Sequence, residues 1–203
     1  MKFVGLSSLL LLAVISHAQN PPIKRTLGFQ WNWRDAQYLS GLQMVGTSKD
    51  ISTEDRALLL NALTPQYKEY PDPRKRAAET SLKVVDLNGD GVPEVICQPR
   101  GVGFCSPTGN CPFWVFQKTS LGYKLVLQKG SVQNFTIQPT RTNGYLDLVL
   151  GTHGSATEQT LYVYRFRDGR YRRTDCYDAD WRYLGKDGEY HDSKEPQITP
   201  CHN

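Results

Sequence analysis

Asp86-Leu87-Asn88-Gly89-Asp90-Gly91-Val92-Pro93-Glu94 lies between two short apolar runs, Lys83-Val84-Val85 and Val95-Ile96-Cys97. The flanks are too short for helices and rich in residues that suit a pleated surface, so they predict two strands joined by a tightly wound polar loop. Asp86, Asn88 and Asp90 alternate, which lets such a loop point three side-chain oxygens inward. Gly91 permits the sharp turn, Val92 can offer its backbone carbonyl, and Glu94 closes the shell. Calcium, a hard divalent ion, takes about six to eight oxygen ligands in flexible geometry, and this loop can supply most of them. One calcium ion is therefore expected on Asp86, Asn88, Asp90, Val92 and Glu94. An EF-hand is excluded: its twelfth loop position, counted from Asp86, is Cys97 rather than a bidentate acid, and no long helix flanks the loop.

The period of two continues downstream. Leu82–Val85, Val92–Cys97, Phe113–Gln117, Tyr123–Gln128, Phe135–Gln138, Leu146–Leu150 and Leu161–Phe166 are short, rich in Val, Leu, Tyr and Phe, and separated by turn signals. Ser120-Leu121-Gly122, Asn143-Gly144 and Asp168-Gly169 supply the positive φ of tight turns, and links this short join antiparallel neighbours. The expected fold is mainly β: an antiparallel meander or partial propeller-like sheet with a short helical N-terminal segment. In that segment Ser52-Thr53-Glu54-Asp55 reads as a helix start, ahead of Ala57-Leu58-Leu59-Leu60 and ending before Pro65. A second helical turn is expected over 74–80. A faint internal repeat aligns Gly91-Val92-Pro93-Glu94-Val95-Ile96 with Gly144-Tyr145-Leu146-Asp147-Leu148-Val149, 53 positions on.

The Asp86–Glu94 loop and the apolar strand after it resemble the calcium loop of FG-GAP (integrin-type propeller) and VCBS repeats. That resemblance implies side-chain ligands at Asp86, Asn88, Asp90 and Glu94 and a backbone ligand at Val92. In the second repeat unit the ligand positions become Pro139, Arg141 and Asn143, and only Asp147 keeps a carboxylate, so no second ion is expected there. Arg141 is expected to pair with Asp147 instead. The stretch 86–171 is also similar to a group of uncharacterised exported bacterial proteins, through Asp86–Gly91, the Cys105–Cys111 turn before Phe113, and Thr140–Asp147. This second resemblance implies export and a β-rich fold but no activity.

Export is read independently at the N-terminus. Met1-Lys2, the apolar run 3–15 and Ser16-His17-Ala18 give the three regions of a signal peptide cleaved after Ala18. The apolar run falls short of the roughly 20 residues a membrane span needs. The expected organisation is a signal peptide over 1–18, a helical or irregular segment over 19–81 packed on the domain, a β domain with the calcium loop over 82–175, and a disulfide-stapled irregular tail over 176–203. The mature chain is expected to be secreted or periplasmic. Its formal charge of +4 falls by one with Lys2, and the two denser basic stretches, 74–76 and 165–173, read as solvated surface rather than a nucleic-acid patch. Of the five cysteines, Cys105 and Cys111 flank a Ser-Pro-Thr-Gly-Asn turn, Cys176 and Cys201 bracket the polar tail, and Cys97 sits in an apolar strand. Composition leaves many connectivities open. The expected pattern is 105–111 and 176–201 with Cys97 free.

Catalytic signals are sparse. Gly151-Thr152-His153-Gly154-Ser155-Ala156-Thr157-Glu158 gathers a histidine, hydroxyls and an acid, but lacks a nucleophile elbow or any spacing that orients a base. His191 and His202 lie in the polar tail. Trp31 and Trp33 alternate around Asn32, which would put them on one strand face, able to stack on a sugar or a partner or to cover a core edge. Asn134-Phe135-Thr136 is a glycosylation sequon. The expectation is a non-enzymatic binding domain for an extracellular or envelope protein or glycan, with no nucleic-acid partner. The rivals are a hydrolase using the His153 loop and an envelope inhibitor of a lytic enzyme.

Overall fold

A computed structural model of the chain describes residues 31, 33–39, 42–99 and 103–201. The expected signal peptide, the side chain of Trp33 and His202 lie outside what it describes. Among the described residues two α-helices precede the strands, α1 (Thr53–Leu63) and α2 (Pro73–Ala78). Ser52 caps α1 by accepting the Asp55 amide N–H at 3.0 Å, and the helix stops before Pro65 as expected. Pro73 opens α2, where its missing N–H has no helical partner to lose.

Among the described residues nine antiparallel strands follow in two meanders. The first sheet runs β1 (Ser81–Val85), β2 (Glu94–Gln98), β3 (Cys111–Thr119) and β4 (Gly122–Val132). Gln133 is the single residue between it and the second sheet, β5 (Asn134–Thr142), β6 (Tyr145–His153), β7 (Glu158–Arg167), β8 (Arg170–Leu184) and β9 (Tyr190–Pro200). Asn143-Gly144 and Asp168-Gly169 turn with positive φ at both residues, the backbone twist that two-residue hairpins need.

Strand alternation sorts the side chains into layers. Ile96, Phe113, Val115 and Val126 of the first sheet meet Phe135, Leu148, Leu150 and Tyr164 of the second. Their neighbours in sequence, Val95, Cys97, Trp114 and Phe116, face the other way onto Leu59, Leu63, Tyr67 and Ala77 of the helical segment. With both faces covered, β2 is buried along its whole length, which is why its apolar run is continuous rather than alternating. Truncating a fully buried ring such as Phe113 to alanine removes about 3–5 kcal/mol of packing.

Both expected disulfides are present, Cys105–Cys111 and Cys176–Cys201, and Cys97 is a buried free thiol. Burial pushes the Cys97 thiol well above its usual range, so it behaves as a small core residue.

Two expectations are corrected. Residues 176–201 are not an irregular tail: β8 and β9 extend the second sheet from Tyr177↔Pro200 to Leu184↔Tyr190, and past Trp181, whose N–H still donates to Thr157 O at 2.9 Å, they pair only with each other. Their backbone ladder supplies the order that their polar side chains did not advertise. Trp31 and Trp33 do not share a strand face, because Trp33–Asp35 forms a single 3-10 turn. Trp31 instead packs on the outer face of the second sheet with Val149, Leu161, Val163 and Ala179.

Candidate metal centre

The β1–β2 connection is a wound loop held by its own side chains. Asp86 accepts the amide N–H groups of Gly89 (2.7 Å) and Gly91 (3.0 Å), one on each carboxylate oxygen. Asn88 Oδ1 accepts the Asp90 N–H at 3.0 Å, and Asp90 Oδ1 accepts the Val92 N–H at 2.7 Å. Gly89 and Gly91 both take positive φ, and these two turns let the short loop coil on itself. The amides, Gly91 first, hold the Asp86 carboxyl below its ordinary range.

Glu94 opens β2 and is 1% exposed. Its Oε2 accepts the Leu87 N–H at 2.8 Å. Burial pushes the Glu94 carboxyl up, and the negative charges of Asp90 and Asp86 push it further in the same direction. Of the five expected ligands, Asp86, Asn88, Asp90 and Glu94 are thus tied into one loop network, with Val92 half-exposed at its tip. Every acidic oxygen that accepts an amide here has a second lone pair, and the donor set is oxygen only, so the residues suit calcium chemically. Their side chains are turned onto the loop's amides: among the described residues no group of three or more His, Cys, Asp or Glu gathers as a metal cage would.

The loop is seated on the second sheet. Leu87 O accepts the Leu146 N–H at 2.7 Å and Arg141 Nη1 at 3.1 Å. Asn88 Nδ2 donates to the Tyr145 hydroxyl at 3.2 Å, which Gln117 Nε2 also reaches, and the Tyr145 ring stacks on Phe166. Arg141 also donates to Gly144 O at 2.6 Å. These contacts set the start of the β1–β2 loop, Leu87 and Asn88, against the turn of β5–β6, beside the two segments that the faint repeat aligned. Sequence reading missed Tyr145 and Leu146 as supports of the loop; the repeat was the signal that singled them out.

The expected pair of Arg141 with Asp147 does not form. Asp147, on β6, takes the Thr140 hydroxyl at 2.9 Å and an ion pair with Arg165 Nε at 3.6 Å. Arg165 continues to Asp175 at 2.7 Å. Arg141 is drawn instead to backbone carbonyls at the loop, which leaves Asp147 to a cation on the neighbouring strand.

The other candidates are placed as follows. His153 ends β6; its Nδ1 lies 3.0 Å from Gln133 Nε2, and its backbone exchanges two 2.8 Å hydrogen bonds with the Asn110 side chain. It thereby docks the Cys105–Cys111 loop on the second sheet. Ser155 and Glu158 bond each other at 3.1 Å across the β6–β7 turn. Asn134 is 4% exposed, its Nδ2 donating to the Tyr38 hydroxyl and its Oδ1 accepting Gln159 Nε2, so the folded protein does not present the sequon nitrogen.

Comparison with known proteins returns no match: no family model, no curated protein and no solved structure is similar to the chain. Among the described residues no helix is long and apolar enough to cross a membrane.

Proposed function

We propose that this protein is an exported, calcium-binding β domain that works by binding a protein or glycan at the cell surface, without catalysis. One observation carries the calcium reading: Glu94 is a buried carboxylate closing a loop that also carries the side-chain oxygens of Asp86, Asn88 and Asp90, and the charges of the two aspartates push its carboxyl pKa further up. A buried charge among like charges is unfavourable until a cation joins it. Asp86, Asp90 and Glu94 would hold the ion through carboxylates, Asn88 through its side-chain oxygen and Val92 through its carbonyl. The ion would supply charge neutralisation and rigidity rather than chemistry. Two disulfides fit the oxidising compartment outside the cytoplasm.

The non-catalytic reading is supported at His153, whose ring nitrogen meets the neutral amide of Gln133 and whose backbone is engaged by Asn110. Isothermal titration of the mature protein with calcium tests the metal directly. One ion per chain is expected, with a dissociation constant no weaker than about 1 mM, the range of extracellular sites. No heat of binding and no calcium adduct in native mass spectrometry would refute it. For function, His153→Ala should leave partner capture intact; hydrolysis of peptidoglycan, ester or peptide substrates that vanishes in this variant would establish the hydrolase instead.

A further inference from the structure

In the β7–β8 hairpin Arg165 stands opposite Arg172 and Arg167 opposite Arg170, like charges across a ladder, an arrangement that by itself weakens a sheet. Arg165 is compensated by Asp147 and Asp175. Arg173 is not: among the described residues no acid forms an ion pair with it, nor with Lys129 of β4. These two cations converge on one aromatic ring, Lys129 Nζ at 4.3 Å and Arg173 Cζ at 5.7 Å from the centre of Tyr162. Burial and the charge of Arg173 both lower the Lys129 pKa, so the pair is held together against its own repulsion.

Arg173 and Tyr162 line one end of an open groove of about 610 Å³ that runs along β7 and β8 to Thr160, Asp178 and the Cys176–Cys201 disulfide. From Tyr164, opposite Arg173, to Thr160, opposite Asp178, the strand advances about 13 Å at 3.3 Å per residue. At the far end Thr160 Oγ1 donates to Asp178 Oδ1 at 3.1 Å, leaving the other carboxylate oxygen of Asp178 to accept. The groove's second acid, Asp175, is already committed to Arg165.

A ligand that satisfies both ends carries an anionic group at Arg173, where Lys129 reaches the Tyr162 ring from beside the groove's own lining, and hydroxyl donors toward Asp178. A densely phosphorylated polymer would meet repulsion at Asp178, and a neutral sugar would leave the two cations unpaired. We infer that this groove binds an acidic oligosaccharide, its carboxylate or sulfate group held by Lys129 and Arg173, its ring against Tyr162 and its hydroxyls at Asp178. The assignment rests on the reading of the domain as a binding module and not on calcium.

Titration with galacturonate and sulfated oligosaccharides, each with and without chelator because uronates bind calcium themselves, tests it. Binding that persists under chelator is expected, with neutral maltohexaose inert. Lys129→Gln and Arg173→Gln should each weaken it about tenfold or more, whereas Arg167→Gln and Arg170→Gln at the solvated turn should leave it within about twofold. Lys129 of the parent should be protected from acylation by the bound sugar, a readout independent of variant folding. Binding lost equally in the turn variants would reduce the effect to bulk charge and overturn the site. So would failure of every acidic sugar, or preferential binding of poly-glutamate or of phosphatidylglycerol vesicles. If calcium titration fails while chelator-resistant sugar binding survives, the calcium reading falls and the groove stands.

Discussion

The β1–β2 and β5–β6 hairpins set a buried acid at matching places in the faint repeat, and they treat it in opposite ways. Asp147 opens through Oδ2 onto Arg165 and the Thr140 hydroxyl, so the protein supplies its cation and one hydrogen bond, while its buried Oδ1 has no hydrogen-bond partner among the described residues. Glu94 has the Leu87 amide and, beyond it, the like charges of Asp90 and Asp86. The links differ accordingly: Asn143-Gly144 is a two-residue turn with no ligands, while the β1–β2 loop is long enough to array oxygens. An acid neutralised from within needs no metal. One surrounded by other acids is where a metal gains most, and the contrast locates the single site we propose.

Breaking the internal cation should have the largest effect. Arg165→Met leaves Asp147 buried and unpaired, with Asp175 also losing its partner. A loss of about 2–4 kcal/mol is expected, below the full value for a deeply buried pair because Arg165 is partly exposed. It reads as a lower urea midpoint at unchanged m-value. A shift under about 0.5 kcal/mol would mean that Arg165 does not compensate Asp147, and the comparison would lose one side.

Glu94→Gln should act in the other direction. Glutamine can still accept the Leu87 N–H but removes the buried charge, so chelated protein should change by no more than about 1 kcal/mol, toward greater stability. The pH dependence follows from the sign of the shift. The folded carboxyl is raised, so its ionised form penalises the native state above the folded pKa, and the penalty is relieved as pH falls through it toward the ordinary carboxylate range. Asp86 is opposite: its lowered pKa gives stability that is present above the unfolded value and is lost as pH falls through the folded one. Chelated parent should therefore gain relative to Glu94→Gln on mild acidification. Parallel pH curves for the two proteins would show that Glu94 carries no penalty.

A similarly modest effect is expected where the hairpins touch. Tyr145→Phe removes the hydroxyl shared by Asn88 and Gln117 while keeping the stack on Phe166, and should cost about 0.5–1.5 kcal/mol. The calcium response should remain, since no ligand is removed. Loss of that response in Tyr145→Phe would show that the second hairpin helps form the site rather than only seating it.

The sequence made β1 to β7 legible because their inner faces alternate Val, Leu, Phe and Tyr against a covering layer. It hid β8 and β9, whose charged side chains alternate with little apolar content; Lys194, Glu195 and Pro196 keep β9 safe as an edge strand and also erase the pattern by which strands are read. Both disulfides were readable from turn and tail spacing, and Cys97 from its apolar neighbours. The loop ligands were readable because they are contiguous. Arg165 was not, since it meets Asp147 from an adjacent strand, whereas the nearer Arg141 offered a local pairing that the fold does not make. The burial of Glu94 depends on a sheet that begins some 40 residues downstream, beyond the reach of any local pattern.

The central claim is that the Asp86–Glu94 loop gains a cation the protein does not itself provide, and thermal unfolding with and without calcium tests it most directly. If only the folded state binds, calcium at 100 times its dissociation constant adds about 2.7 kcal/mol. The parent should melt several degrees lower under chelation, and Asp86→Ala and Asp90→Ala should melt at one temperature in either condition. A parent melting temperature that is the same with saturating calcium and with chelator would contradict the account.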